Sequence, residues 1–210
     1  MKIGVLDYGS GNLHSVCRAL EAAGAEVLLS SEHAELRSCA GLVVPGVGAF
    51  AACMDSLRSV GGDELIHEAI ADEQSVLGIC VGHQIMFSSG VEHGLETTGL
   101  GILPGVVEPL PTKRLPHLGW NEVSAPASGI LGELAGKRFY FVHSYAVLDA
   151  SQLPPDCVIA TTRHESTEFV AACSWGTLTT TQFHPEKSAE AGAGLLRSWL
   201  ERIASGIVAV

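Results

Sequence analysis

The chain has 210 residues, of which 47% are hydrophobic and 17% charged, and this composition predicts one globular domain over residues 1–210 with a substantial core. Acidic residues outnumber basic ones 23 to 12, for a formal net charge of -11. This balance argues against a nucleic-acid partner, because binding to phosphates needs clustered Lys and Arg.

The first hundred residues alternate short apolar runs with amphipathic stretches. The apolar runs predict buried parallel strands over residues 3–6, 26–29, 41–44 and 75–79. Apolar residues at helical spacing predict helices over residues 13–23, 49–57 and 63–72, and another helix after Cys80 that carries Ile85, Met86 and Phe87. This alternation predicts an α/β fold with a flavodoxin-like, doubly wound and mostly parallel sheet.

The pattern changes after about residue 100, where Gly and Pro become frequent and short strands replace the strand-helix units. Strands are predicted over residues 139–142, 158–161, 169–173 and 178–181. They predict antiparallel additions at one edge of the sheet. An amphipathic helix over residues 189–203 follows.

Several kinds of chemistry are not expected. The six cysteines form no C-x-x-C pair and the nine histidines are dispersed, so we predict no disulfide framework, no metal site and no cofactor. The apolar run at the N-terminus reaches Asp7 within a few residues, too short for the core of a signal peptide. With no run of about 18 apolar residues, a cytoplasmic protein without membrane association is expected.

Cys80 stands out because it lies where a buried strand meets a helix, with Gly78 two residues before it and Gly82 two residues after it. Such a tight corner resembles a nucleophile elbow, in which the glycines relieve crowding. The helix N-terminus would favour the thiolate, which is the nucleophilic form. The alternative is a buried structural cysteine, since free Cys is among the most buried residue types.

A nucleophilic cysteine needs a base, and the base needs an orienting group. His184 and Glu186 follow an apolar strand and flank the rigid Pro185, so their side chains can meet in an extended turn. The alternative is a histidine at a strand end beside a solvated glutamate.

Donors for an oxyanion are predicted in the backbone. The turn at residues 45–48 offers N–H groups from Val47 and Gly48. Val81, directly after the cysteine, supplies the other N–H of a typical elbow. The alternative for residues 45–48 is an ordinary tight turn.

Together, Gly-x-Cys-x-Gly-x-Gln at residues 78–84 and His-Pro-Glu at residues 184–186 resemble the class I (triad) glutamine amidotransferases. These enzymes hydrolyse the side-chain amide of glutamine through a cysteinyl thioester. The resemblance extends to residues 7–13, 45–50, 116–121, 140–145 and 182–188. It is strongest to members whose ammonia is used by a separate (β/α)8-barrel cyclase.

The resemblance implies a role for each matching residue. Cys80 would be the nucleophile, His184 the general base and then acid, and Glu186 the residue that orients His184. The implied glutamine-binding residues are Gln84, His143, Ser144 and Tyr145, and the implied partner-interface residues are Asn12, Trp120 and Lys187.

Three other interpretations stay open from sequence. The chain could serve another class I amidotransferase, such as those of anthranilate, pyridoxal phosphate or GMP synthesis. It could be a non-catalytic binding module on a flavodoxin-like scaffold, because fold alone does not define function. It could also be a cysteine hydrolase or chaperone with the same elbow, although this would not explain His-Pro-Glu after the last strand.

Overall fold

A computed structural model describes residues 1–127 and 129–206. Within these ranges the strands are β1 (Lys2–Leu6), β2 (Glu26–Ser30), β3 (Gly41–Gly46), β4 (Ser75–Cys80), β5 (Phe87–Glu92), β6 (Leu95–Thr98), β7 (Leu103–Pro109), β8 (His117–Glu122), β9 (Arg138–His143), β10 (Tyr145–Val147), β11 (Val158–His164), β12 (Thr167–Trp175) and β13 (Leu178–Thr181). The α-helices are α1 (Leu13–Ala22), α2 (His33–Arg37), α3 (Phe50–Ser59), α4 (Gly62–Ala71), α5 (Val81–Gln84) and α6 (Ala189–Ser205). Single 3-10 turns cover Ile130–Leu134, Ala150–Gln152 and Pro185–Lys187.

The main sheet of the described residues has seven strands in the order β11-β12-β13-β4-β3-β1-β2. The five strands from β13 to β2 pair in parallel, whereas β11 and β12 are antiparallel additions at one edge. Strands β1, β3 and β4 are almost wholly buried apolar runs, as expected for parallel strands covered on both faces. The predicted fold class and its antiparallel edge are confirmed, but of the four strands predicted after residue 100 only β11 and β12 form that edge, because β13 pairs in parallel with β4 and β9 lies outside the main sheet.

The second half of the fold contains smaller sheets that the sequence did not reveal. Strands β10, β7, β5 and β6 form a four-stranded sheet, and β8 pairs with β9 in an antiparallel ribbon. None of the helices in the described residues is long and apolar enough to cross a membrane.

The helix predicted after Cys80 is wrong in its extent. Helix α5 ends at Gln84, and Phe87 already begins β5. The carbonyl groups of Ile85 and Met86 accept hydrogen bonds from Leu100 and Leu103, so the chain leaves the helix to pair with a distant segment. A short apolar run fits a buried strand as well as a helix, and tertiary pairing decided between them.

Candidate active site

Cys80 lies at the carboxyl end of β4 in a strained backbone conformation, with φ 58° and ψ -112°. Positive φ is rare for a residue with a side chain and is typical of functional turns. A Cβ atom on Gly78 would lie 2.7 Å from the Gly82 carbonyl oxygen, and one on Gly82 would overlap the Val44 carbonyl group. The flanking glycines therefore permit the tight turn, and the predicted elbow is present.

The single turn of α5 changes the expected electrostatic support for the thiolate. A helix of four residues has few aligned peptide dipoles, so its N-terminus carries less positive charge than that of a long helix. The charged partner of Cys80 must therefore come mainly from elsewhere in the fold.

That partner is His184, which lies after β13. Its Nδ1 is 2.7 Å from Oε1 of Glu186, and their side chains are 2% and 1% exposed. Pro185 lies between them at the start of a 3-10 turn. The Ser188 hydroxyl donates to the His184 carbonyl at 2.6 Å and accepts the Tyr140 N–H at 3.0 Å. Sequence reasoning missed this clamp, which fastens the turn to β9.

The pKa of His184 is raised to about 9. Burial works in the opposite direction and lowers this pKa, but the nearby Cys80 sulfur and the Glu186 carboxylate outweigh it. Among the described residues the imidazole Nε2 has no hydrogen-bond partner, which leaves it available to a ligand in the cavity. These contacts favour the charged form of the His184 imidazole.

A cavity of about 200 Å³ brings these groups together. Its lining includes all the predicted catalytic, oxyanion and glutamine-binding residues except Glu186: Val47, Gly48, Cys80, Val81, Gln84, His143, Ser144, Tyr145 and His184. Lys187, predicted for the partner interface, also lines it. A wider cleft of about 360 Å³ between α3 and α4 lies away from Cys80, so the smaller cavity is the candidate site.

The candidate oxyanion donors are not all free. The Val47 N–H donates to the Ser10 hydroxyl at 3.2 Å, while the Val47 carbonyl accepts from Ser10 at 2.9 Å and from Cys53 at 3.2 Å. Gly48 has φ 93°, a conformation that favours glycine. For Val47 to donate to an intermediate, its bond to Ser10 would have to break.

Glu92 is a cavity residue that sequence reasoning missed. It ends β5, and its Oε2 accepts a hydrogen bond from the Phe50 N–H at 3.0 Å. The sequence carried little signal for Glu92, because the segment before it mixes polar and apolar residues and the helix predicted after Cys80 included Phe87, the first residue of β5.

The predicted interface residues lie at different places around the cavity. Trp120 is 45% exposed on β8 and its ring lies 6.3 Å from that of Tyr140. Lys187 Nζ lies 6.0 Å from the same Tyr140 ring. Asn12 precedes α1, which packs against the 3-10 turn that contains Lys187.

The chain belongs to the glutamine amidotransferase class-I family, whose model matches residues 4–202. It is similar to the imidazole glycerol phosphate synthase subunit HisH of Nocardia farcinica, with 52% identity over 96% of this chain and 98% of that protein. The subunit of the same name from Cutibacterium acnes is 47% identical over 97% of this chain and 98% of its own length.

Solved structures agree at the level of the fold. A crystal structure of a glutamine amidotransferase matches with a TM-score of 0.75 at 19% identity, covering 96% of this chain and 98% of that chain. The predicted family and its glutamine amidotransferase activity are thus confirmed by the family model and the curated relatives.

Three buried histidines predict a loss of stability in acid. Burial lowers the pKa of His83 to about 3, of His117 to about 4 and of His143 to about 3. Unfolded histidines titrate near about 6.5, so below that pH the unfolded chain binds protons that the native protein does not. As the pH drops from about 6 to about 4, we expect each of these three histidines to lower the unfolding free energy by about 1.4 kcal/mol per pH unit.

Urea unfolding across this pH range measures the effect. His83→Gln should reduce the pH slope of the unfolding free energy by the contribution of one proton. His67→Gln, at an exposed position of α4, should leave that slope unchanged. An identical pH slope for His83→Gln and the wild type would contradict the prediction.

Proposed function

We propose that this chain is the glutaminase subunit of imidazole glycerol phosphate synthase. It would hydrolyse glutamine to glutamate and ammonia, and a cyclase subunit would use the ammonia to make imidazole glycerol phosphate and the aminoimidazole nucleotide AICAR in histidine biosynthesis. The observation that carries the chemistry is the buried 2.7 Å bond between His184 and Glu186 beside the Cys80 cavity. The similarity to the HisH subunits supports the choice of pathway.

The reaction begins with attack of the Cys80 thiolate on the side-chain amide carbon of glutamine. The carbonyl oxygen becomes an oxyanion, for which the N–H groups of Val81 and of the Val47–Gly48 segment are the candidate donors. His184 gives its Nε2 proton to the departing nitrogen, so the C–N bond breaks, ammonia leaves and a thioester forms.

Hydrolysis of the thioester reverses these roles. Neutral His184 takes a proton from water as the hydroxyl attacks the thioester carbon. The C–S bond then breaks, which restores the thiolate-imidazolium pair, and the new carboxylic acid loses its proton to solvent and leaves as glutamate. Glu186 holds Nδ1 throughout and stabilises the positive charge on the imidazole.

Residues of the cavity lining fit the two ends of glutamine. The Glu92 carboxylate is the candidate partner for the α-ammonium group, because Glu92 is the one acidic residue among the described residues that line the cavity. Gln84 and the segment His143 to Tyr145 also line the pocket and would hold the α-amino and α-carboxylate ends.

A partner follows from the chemistry, since ammonia is mostly protonated in neutral water and ammonium is not a nucleophile. A protected channel to the second active site would avoid this loss. We propose a heterodimer with a (β/α)8-barrel cyclase in the cytoplasm, with lyase chemistry at the second site. Asn12, Trp120 and Lys187 would contact the partner.

Cys80→Ser tests the division of labour. With the cyclase present, this variant should lose glutamine-dependent formation of imidazole glycerol phosphate, since a serine hydroxyl is a far weaker nucleophile at neutral pH. Synthesis from added ammonium should continue, because the second site is intact. Loss of both activities in Cys80→Ser would assign Cys80 to assembly of the complex. If the wild type with this cyclase made no imidazole glycerol phosphate, the chain would belong to another class I amidotransferase.

Glu186→Gln tests the role of the carboxylate. The amide oxygen can still accept from His184 Nδ1, but without the negative charge the pKa of His184 should fall from about 9. We expect kcat for glutamate release to drop by about 100-fold or more and its basic limb to move to lower pH. Glu190→Gln, at an exposed carboxylate of α6, is the control. An unmoved basic limb would contradict the assignment.

Trp120→Ala tests the interface. Exposed tryptophans at interface centres often contribute about 2 kcal/mol or more, so binding to the cyclase should weaken by about 30-fold. Trp175→Ala is the matched control, because Trp175 is a partly exposed tryptophan that pairs with Leu178 at the start of β13, the opposite end of that strand from His184. Equal affinity of Trp120→Ala and wild type in a titration would remove Trp120 from the interface.

A further inference from the structure

Two polar side chains on the inner face of β8 have no part in the proposed chemistry. His117 is 4% exposed and Asn121 is half-buried, whereas Leu118 and Trp120 point outward at 61% and 45% exposure. Neither His117 nor Asn121 lines the Cys80 cavity. Both belong to a motif, residues 116–121, that the reaction leaves unexplained.

The amide of Asn121 has one possible orientation. Its Oδ1 accepts the Glu122 N–H at 2.9 Å, and its Nδ2 donates to the Arg163 carbonyl at 2.8 Å. A backbone N–H can only donate and a carbonyl can only accept, so the amide cannot be reversed. The other Nδ2 hydrogen faces Nε2 of His117 at 3.2 Å, and this ring nitrogen must therefore be an acceptor.

This orientation fixes the protons of two histidines. With Nε2 as acceptor, neutral His117 carries its proton on Nδ1, which lies 3.0 Å from Nε2 of His143. His143 accepts there and donates its own Nδ1–H to the Tyr145 carbonyl at 2.9 Å. That carbonyl can only accept, so the Asn121 end and the Tyr145 end of this hydrogen-bond series require the same donor-to-acceptor direction. Burial, which lowers the pKa of both rings, keeps them neutral.

This hydrogen-bond series ends at residues that form the proposed glutamine pocket. The Tyr145 carbonyl accepts a second hydrogen bond, from Gln84 Nε2 at 2.9 Å, and Gln84 also donates to Gln182 Oε1 at 3.0 Å. Gln84, His143 and Tyr145 all line the cavity. One side of the pocket is thus held by a continuous series of hydrogen bonds, which runs in one direction from Asn121 on β8 to the Tyr145 carbonyl, where Gln84 donates from the other side.

We propose that His117 and Asn121 are positioning residues for glutamine binding, which hold His143 in its Nδ1–H form and thereby fix the Tyr145 carbonyl and Gln84. The inference rests on the proposed glutaminase function. The series has no hydrogen bond to Cys80, His184 or Glu186. Its disruption should therefore raise KM for glutamine and leave kcat largely intact.

Two substitutions of His117 separate position from bulk. The Nδ2 of an asparagine occupies the place of the imidazole Nδ1, so His117→Asn keeps the donor to His143. His117→Gln places its amide near the position of Nε2 and removes that donor. In the complex with the cyclase, we expect His117→Gln to raise KM about tenfold with kcat within about twofold, and His117→Asn to restore most of the affinity.

Asn121→Asp tests the direction of the series with a residue of the same shape. A carboxylate cannot donate, so His117 must place a proton on Nε2, and in the neutral ring this leaves Nδ1 as an acceptor facing the acceptor of His143. The assay is run at a pH where NMR shows His117 to be neutral, because an imidazolium would keep both donors. KM should again rise about tenfold. His164→Gln is the control, because His164 stacks on His117 at 4.3 Å but bonds to the Arg114 carbonyl outside the series. It should leave KM unchanged.

Nitrogen-15 NMR of the imidazoles gives a readout independent of activity. The wild-type complex should show His117 and His143 as neutral Nδ1–H tautomers, and Asn121→Asp should convert His117 to Nε2–H. Wild-type Nε2–H tautomers, or an unchanged KM in both His117→Gln and Asn121→Asp with an active wild type, would overturn the positioning role. A wild-type complex that releases no glutamate from glutamine would instead contradict the proposed function.

Discussion

The active site depends on a close approach of backbone to backbone beneath Cys80. A Cβ on Gly46 would lie 2.6 Å from the Gly82 nitrogen, and Gly82 itself lies against the Val44 carbonyl group. Side chains at these positions would push the turn after β4 away from the end of β3. The distance between the nucleophile and the Val47–Gly48 segment is therefore set by glycine packing, which a single added methyl group would disturb.

The histidines at and behind the cavity fall into two groups that differ in their neighbours. His184 faces the Cys80 sulfur and the Glu186 carboxylate, and these two partners raise its pKa despite burial. His117 and His143 face an amide, a carbonyl and each other, so burial dominates and lowers their pKa values. Residues of one type can thus serve proton transfer on one side of the pocket and fixed hydrogen bonding on the other.

Most of the main sheet could be predicted from the sequence, because its strands are apolar runs and the helices that connect them are amphipathic. The elbow was predictable from the glycines around Cys80, and the candidate base from His-Pro-Glu after an apolar strand. Strands β5 to β8 and β10 were not predicted, and at β5 the reason is that Ile85 to Phe87 carry no period that separates strand from helix. Glu92 and Ser188 were missed for another reason, since only the fold brings these isolated polar residues to the cavity and to the turn of His184.

Strand β8 alternates two sets of side chains, with His117 and Asn121 inward and Leu118 and Trp120 outward. In a strand, the gain or loss of one residue turns every following side chain to the opposite face. An insertion within β8 would therefore bury the apolar side chains and expose the polar ones in a single event. Evolution can change the outer face of β8 by substitution, one alternate position at a time, but the length of the strand must be preserved.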